Sequence, residues 1–237
     1  MSASALRALH VPGDPVILPN AWDAGSARRV ERAGFPAVAT TSSGVAESLG
    51  YADGQRTPVG EMLAAVGRIA RAVHVPVTAD MEAGYGLDDA EVAARVVEAG
   101  AVGINLEDTD HPNHPALVPA DRHAARIARI KESADLVVNA RIDVHLRGGS
   151  TEEALERARA YRDAGADCLY PIGVTDEATL AAFVELGAPV NALLLPSAPP
   201  IARLAELGVA RISLGGILYH ELVDAFDRRL AELSGTR

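Results

Sequence analysis

The amino-acid sequence predicts a (β/α)₈ barrel that forms a single domain over residues 1–237. Eight short apolar runs alternate with helical patterns, and eight such units suit a barrel of this chain length. The runs are apolar without alternation, as expected for parallel strands that are covered on both faces. No Gly/Ser-rich linker interrupts the series. The alternative architecture is a doubly wound open sheet.

The predicted strands follow segments with helical periodicity, and glycines mark where several of these helices end. Glycine suits the left-handed residue that closes a helix. These glycines are Gly34, Gly100, Gly165, Gly187 and Gly208. In chain order, the strands are predicted at residues 16–22, 37–43, 75–82, 101–108, 136–143, 168–173, 190–196 and 211–216. In such a barrel, functional residues lie at the carboxyl ends of the strands.

The composition excludes several classes of partner. A formal net charge of −10 argues against nucleic acid, because phosphate binding needs basic patches. Aromatic residues make up only 4% of the chain, which also disfavours stacking on bases. No apolar run approaches the roughly 20 residues that are needed to span a bilayer, and the N-terminus lacks the apolar core of a signal peptide. We therefore expect no nucleic-acid partner and no membrane association.

The chain has a single cysteine and a single lysine, and both limit the disulfide bonds and reaction mechanisms that are available to it. Cys168 is the sole cysteine, so no intrachain disulfide can form, which is consistent with a reducing compartment and a cytoplasmic protein. Lys131 is the sole lysine and lies in a helical pattern rather than at a strand end. An aldolase that forms a Schiff base needs a desolvated lysine in its pocket. The sequence excludes that mechanism.

Carboxylates follow two of the predicted strands at the point where each strand ends. Asp80 and Glu82 flank Met81, so a regular strand would point both acids the same way. Glu107 and Asp108 end the next strand, and Glu107 is the candidate to face the centre while Asp108 holds a loop. Several carboxylates at one mouth repel one another unless a cation lies between them. Mg²⁺ prefers oxygen ligands, so the pattern indicates a metal-dependent enzyme.

Other polar residues near strand ends have both a structural and a functional interpretation. Ser43 and Gly44 are either an ordinary loop or an anion site built from backbone N–H groups and a hydroxyl. Asp53 stands in an Asp-Gly turn signal. Arg141 is either a structural salt bridge with Asp143 or a bidentate ligand for a substrate carboxylate.

Two histidines follow the fourth predicted strand in the segment DHPNHPALVP. His111 and His114 could bind zinc, but the Pro-rich setting gives no rigid ligand geometry. We interpret the segment as a lid that closes over the substrate.

Seven segments together resemble the isocitrate lyase/phosphoenolpyruvate mutase superfamily. The resemblance runs from Leu18 to Tyr219 and is carried by LPNAWDAGSAR, the Ser-Ser-Gly loop with LGYADG, DMEAGYG, GINLED, NARIDVHLRGG, RDAGADCLY and LGVARISLGGILY. It implies a (β/α)₈ barrel, usually a homotetramer in which the last helix is exchanged between subunits. It also implies Mg²⁺, with Mn²⁺ as an alternative, and a small 2-oxo or 2-hydroxy carboxylate whose reaction passes through an enolate.

The resemblance also implies roles for the residues at the mouth of the barrel. Asp80 would be the direct metal ligand, and Asp53, Glu82 and Glu107 would hold metal-bound waters. The substrate carboxylate would be bound by Ser43, Gly44 and Arg141, with Asp53 beside them. Glu107 and Arg141 would take part in catalysis.

The lid departs from the family pattern. The lyases of this group carry a Lys-(Lys/Asn/Arg)-Cys-Gly-His loop whose cysteine protonates the departing enolate, whereas the equivalent stretch DTDHPNHPALVP has no cysteine. We expect a Mg²⁺-dependent lyase or decarboxylase that cleaves a C–C bond, with His111 or His114 as the proton donor. The alternatives are P–C bond chemistry on phosphonopyruvate or carboxyphosphonoenolpyruvate, and a barrel that binds a carboxylate without turnover.

The last helical pattern carries an apolar stripe that consists of Leu218, Leu222, Phe226 and Leu230. Such a stripe is usually core packing. The resemblance implies instead that it packs on a partner subunit, in a homo-oligomer that is a dimer or a tetramer.

Overall fold

The computed structural model describes residues 2–111 and 116–235 and contains the predicted (β/α)₈ barrel. Eight parallel strands form the ring, each inside or overlapping the range that the sequence predicts. They are Asp14–Leu18 continued by Asn20–Ala21 (β1), Val38–Thr40 (β2), Val77–Asp80 (β3), Gly103–Glu107 (β4), Val137–Ile142 (β5), Cys168–Pro171 (β6), Asn191–Leu193 (β7) and Arg211–Ser213 (β8).

The ring consists of two sheets that share the first strand. The second half of β1 pairs with β2, and parallel pairing continues through β3, β4 and β5 to β6. The first half of β1 pairs with β8, which pairs with β7. Pro19 separates the two halves, and a proline cannot donate a ladder hydrogen bond. A single bridge between Leu169 and Val190 joins β6 to β7 and closes the ring, so the open-sheet alternative is wrong.

Helices follow each barrel strand, and all five glycines expected to close helices have a left-handed conformation, with φ between 78° and 96°. The α-helices in the described residues are Ala3–Ala8, Ala24–Arg32, Ser42–Leu49, Val59–Ala70, Asp89–Glu98, Ala120–Ser133, Thr151–Asp163, Glu177–Val184, Ile201–Glu206 and Ile217–Ser234. A short 3₁₀ helix covers His145–Arg147. None of the helices in this part of the chain is long and apolar enough to cross a membrane.

The N-terminal helix packs against the starts of the strands. Its Leu6 is fully buried in an apolar cluster with Val16 and Val137. Gly103 at the start of β4 makes room for it, because a Cβ there would lie 2.8 Å from a methyl carbon of Leu6. The apolar filling of this end leaves the carboxyl ends of the strands as the open face of the barrel.

Three features lie outside the simple barrel. His10–Val11 form a short strand that pairs antiparallel with the start of β1. Thr109–Asp110 and Ala116–Leu117 form a small antiparallel pair after β4, while Pro112, Asn113, His114 and Pro115 are outside the described residues. The C-terminal helix Ile217–Ser234 buries none of its residues, and Phe226 is 62% exposed. The expectation that its apolar stripe packs in the core of this chain is therefore wrong.

Candidate active site

A cavity of about 210 Å³ opens at the carboxyl ends of the strands. Four of the sequence-predicted site residues line it, namely Ser43, Asp53, Asp80 and Arg141. Its other lining residues are Asn20, Thr41, Ser42, Asn105, Tyr170, Ile172, Leu193, Ser213, Gly215 and Gly216. The strand ends therefore bring together residues that are up to 196 positions apart in the chain, namely Asn20 and Gly216, as the barrel prediction requires.

Asp80 ends β3, and every polar contact to its carboxylate comes from a donor. Its Oδ2 accepts from the backbone N–H of Ser42 at 3.0 Å and from the Ser42 hydroxyl at 2.8 Å. Its Oδ1 accepts from the side-chain amide of Asn105 at 3.4 Å. The backbone N–H of Asp80 in turn donates to Thr40 Oγ1 at 2.8 Å. Donors on both oxygens hold the carboxylate in one orientation.

Glu82 reaches the site by a turn rather than by a regular strand. The strand ends at Asp80, and Glu82 has a φ of 46°, so the expectation that one regular strand orients both acids is wrong. Glu82 is buried, and its carboxylate accepts from the Gln55 N–H at 2.7 Å and from the Tyr85 hydroxyl at 2.5 Å. Burial raises the pKa of Glu82 to about 7, and the negative charges of Asp80 and Glu107 act in the same direction.

Glu107 and His111 form, with Glu82, a compact group of potential metal ligands. One ligand atom from each of these residues lies within 4.8 Å of the other two. Glu107 is buried at the end of β4, and its Oε1 contacts His111 Nε2. Burial raises the pKa of Glu107, while the Arg141 charge opposes that rise. The hydrogen bond to Glu107 raises the pKa of His111.

Arg141, near the end of β5, contacts both Asp143 and Glu107 and also lines the cavity. Its Nε and Nη2 donate to the two oxygens of Asp143 at 2.7 and 3.0 Å, so the structural salt bridge is present. Its Nη1 lies 2.5 Å from Glu107 Oε2, and the side chain also lines the cavity. Asp143 therefore fixes the guanidinium plane while the same group faces the cavity. Asp108 helps to hold Asp143 in place, because its carboxylate accepts a hydrogen bond from the Asp143 N–H at 2.8 Å.

The Ser-Ser-Gly segment is the start of a helix rather than a loop. Thr41 caps the helix Ser42–Leu49, and Thr41 Oγ1 accepts from the Gly44 N–H at 3.4 Å. Ser43 lines the cavity, whereas Gly44 does not. Gly44 is nevertheless required by packing, because a Cβ there would lie 2.7 Å from Thr41 Cγ2. Asp53 lies in the predicted turn, is exposed and lines the cavity, and His114 is outside the described residues.

Sequence reasoning missed a group of polar side chains in the interior of the barrel. Asn105, Asn139, Asn191 and Arg211 are all buried. Arg211 donates from Nη2 to Asn105 Oδ1 at 3.1 Å, and Asn139 Nδ2 donates to the same oxygen at 2.8 Å. The available signal was an arginine inside the apolar run GVARISLGG, where a buried strand should carry no charge.

Comparisons with known proteins agree with this architecture. The family model described as phosphoenolpyruvate phosphomutase matches residues 6–234. The 2-methylisocitrate lyase of Escherichia coli (strain K12) is 29% identical over 225 residues, which cover 89% of this chain and 76% of the lyase.

Solved structures are similar along almost the whole chain. A protein of Burkholderia cenocepacia J2315 has a TM-score of 0.89 and 39% identity, with 97% of this chain and 99% of that chain covered. The crystal structure of 2,3-dimethylmalate lyase has a TM-score of 0.88 and 29% identity, with 98% and 87% covered. With a family match that spans nearly every residue, the chain belongs to the phosphoenolpyruvate phosphomutase family.

Proposed function

We propose that this single barrel domain is a Mg²⁺-dependent lyase that cleaves a C–C bond in a small 2-oxo or 2-hydroxy carboxylate through an enolate. The observation that carries the proposal is that an oriented Asp80 and the Arg141 guanidinium line one cavity, and that Arg141 also contacts Glu107 of the Glu82–Glu107–His111 group. The names of two relatives, 2-methylisocitrate lyase and 2,3-dimethylmalate lyase, support C–C cleavage.

The donor set fits a hard divalent cation. Two buried carboxylates whose pKa values are raised by burial stand close together, and a cation between them would relieve both the desolvation and the repulsion. We assign direct ligation to Asp80 and ligation through water to Asp53, Glu82 and Glu107. When bound, Mg²⁺ or Mn²⁺ would supply the positive charge that stabilises an enolate.

The cavity also suggests the class of substrate. Ser43 and Arg141 offer donors for a carboxylate, and Ile172 and Leu193 give part of the lining an apolar character. Arg141 is the one cationic side chain among the described residues that line the cavity. Because each buried carboxylate needs its own partner, this lining suits a monocarboxylate or dicarboxylate better than a tricarboxylate.

His111 is the proton donor that we propose for the departing enolate, with His114 as the second candidate. His111 is partly buried, and its Nε2 contacts the Glu107 carboxylate, which orients its ring. Turnover of the true substrate should fall at least about tenfold when both histidines are replaced by asparagine, since general acid catalysis contributes about 10²–10⁴-fold. His74→Asn, at an exposed histidine, is the control. Unchanged turnover in the double variant would exclude both histidines as proton donors.

P–C bond chemistry is the second candidate, and the family model itself favours it by name. Consumption of phosphonopyruvate, but not of oxaloacetate or other 2-oxo acids, would select it over C–C cleavage. A barrel that binds a carboxylate without turnover is the third candidate. Binding of oxalate together with Mg²⁺, but no turnover of any 2-oxo acid, would favour that assignment.

We further propose a homo-oligomer, a dimer or tetramer, in which the C-terminal helix packs on a neighbouring subunit. The helix exposes Leu222, Phe226, Leu230 and Leu233, each at 47% or more. Leu218 and Leu222 also line a cavity of about 470 Å³ beside the helix Ala24–Arg32. A row of apolar side chains on one exposed helix face is typical of a protein interface.

Thermal unfolding with Mg²⁺ and oxalate, added separately and together, tests the proposed site. Oxalate resembles the enolate of pyruvate, so the wild type should show a large shift only with both ligands, because binding to the folded state raises the midpoint. Asp80→Ala should abolish the joint shift, and Asp121→Ala, at an acid on an outer helix, should retain it. No joint shift in the wild type would refute the metal site and the catalytic proposal with it.

A further inference from the structure

Arg211 at the start of β8 is a fully buried cation without a carboxylate partner among the described residues. Its Nε and Nη1 have no hydrogen-bond partner in that part of the chain. Taking an arginine out of water costs several kcal/mol unless an anion compensates. A residue with this cost, placed inside the barrel, calls for a role that an apolar side chain could not fill.

Within the described residues, the Arg211 side chain makes one hydrogen bond, and that bond leads through Asn105 to the candidate metal ligand. Arg211 Nη2 and Asn139 Nδ2 both donate to Asn105 Oδ1, at 3.1 and 2.8 Å. With its oxygen held by two donors, the amide of Asn105 must direct its NH₂ group elsewhere. That group donates to Asp80 Oδ1 at 3.4 Å, from the position directly opposite Asp80 on the neighbouring strand.

The opposite orientation of the Asn105 amide is unfavourable on both sides. It would place the amide NH₂ against the guanidinium of Arg211 and the amide oxygen against the carboxylate of Asp80. Both contacts would set like charges or like dipoles together. The charge on Arg211 therefore selects the amide orientation that gives Asp80 a donor.

We propose that Arg211 is a positioning residue, which acts through Asn105 to hold the Asp80 carboxylate in the orientation that binds the divalent cation. The inference rests on the proposed function. Arg211 itself does not line the cavity, whereas Asn105 and Asp80 do. The negative charge of Asp80 also favours the charged form of Arg211, although burial lowers the pKa of this arginine.

The test is Mg²⁺ binding by the metal-free full-length protein, followed by titration calorimetry and therefore independent of turnover. Arg211→Met should weaken Mg²⁺ binding about tenfold, because loss of a group that orients a metal ligand typically costs 10- to 100-fold. Arg211→Lys, which keeps a donor and a charge, should stay within about threefold of the wild type. Cys168→Ala is the matched control, because Cys168 lies opposite Asn139, is fully buried and directs its thiol to the Leu169 carbonyl.

A double variant tests whether the effect passes through Asn105. Asn105→Ser should weaken Mg²⁺ binding to a similar extent, and Arg211→Met combined with Asn105→Ser should lose no more than either alone. Unchanged Mg²⁺ affinity in Arg211→Met, or losses that multiply to about a hundredfold in the double variant, would overturn the inference while leaving the metal site intact. If the wild type bound no Mg²⁺, the proposed function would fail and this inference with it. If Arg211→Met does not fold, the Mg²⁺ affinities of Arg211→Lys and Asn105→Ser are compared instead. The inference requires Arg211→Lys to stay close to the wild type and Asn105→Ser to bind about tenfold more weakly.

Discussion

Glu82→Gln should stabilise the metal-free protein above neutral pH. Burial raises the pKa of Glu82 from the usual 4.5 to about 7 in the folded state, so the folded protein prefers the protonated form. Protonated Glu82 stabilises the folded state fully below pH 4.5. This stabilisation is lost as the pH rises towards 7, because Glu82 ionises in the unfolded chain while it stays protonated in the folded chain. At about 1.4 kcal/mol per pH unit, the difference between the two pKa values lowers the free energy of unfolding by about 3 kcal/mol above pH 7. Glutamine keeps the neutral form at every pH.

The assay is urea denaturation of the metal-free protein between pH 5 and pH 8. The difference in unfolding free energy between Glu82→Gln and the wild type should grow in favour of the variant by about 2–3 kcal/mol over this range. Glu98→Gln, the same change at an exposed position on a helix end, is the matched control. Parallel pH profiles for Glu82→Gln and the wild type would refute the argument that Glu82 is held at raised pKa.

Three further predictions concern packing, assembly and the cavity. Gly103→Ala should cost about 1–3 kcal/mol in urea denaturation, because the new Cβ would lie 2.8 Å from Leu6 and 3.0 Å from a backbone oxygen; an unchanged midpoint would contradict the close packing. Phe226→Glu should shift the protein towards monomers in light scattering, with unchanged circular dichroism; an unaltered mass would exclude this face from the interface. Arg141→Lys should lower kcat/KM about 10- to 100-fold, since the fork that holds Asp143 and faces the cavity is lost; full activity would show that a point charge suffices.

The sequence predicted the parts of this fold that depend on local pattern. Parallel strands buried on both faces are continuous apolar runs, and glycines such as Gly100 mark helix ends, so strand number and order could be read directly. The acids at strand ends could also be found, because the topology alone brings the ends of β3 and β4 together. Their conformation could not, since Glu82 sits in a turn with positive φ that no local pattern specifies.

Contacts between side chains from distant strands were beyond the sequence. Whether Arg141 pairs with Asp143, with a substrate or with both depends on rotamers that the pattern does not encode. The role of Arg211 was hidden for the same reason, because its partner Asn105 is 106 positions away and appears in the sequence as an ordinary polar residue.

The division of the ring into two sheets has a consequence for how the proposed metal site forms during folding. Asp80, Glu107 and Asn105 belong to the six-stranded sheet, which is continuous from the second half of β1 to β6. Arg211 belongs to the smaller sheet, which is synthesised last apart from β1. A nascent chain that has completed β6 therefore carries these acids without Arg211, the residue that we propose orients Asp80. Tight metal binding would then require a closed ring. A partly folded chain would bind the metal weakly until β8 pairs with its neighbours.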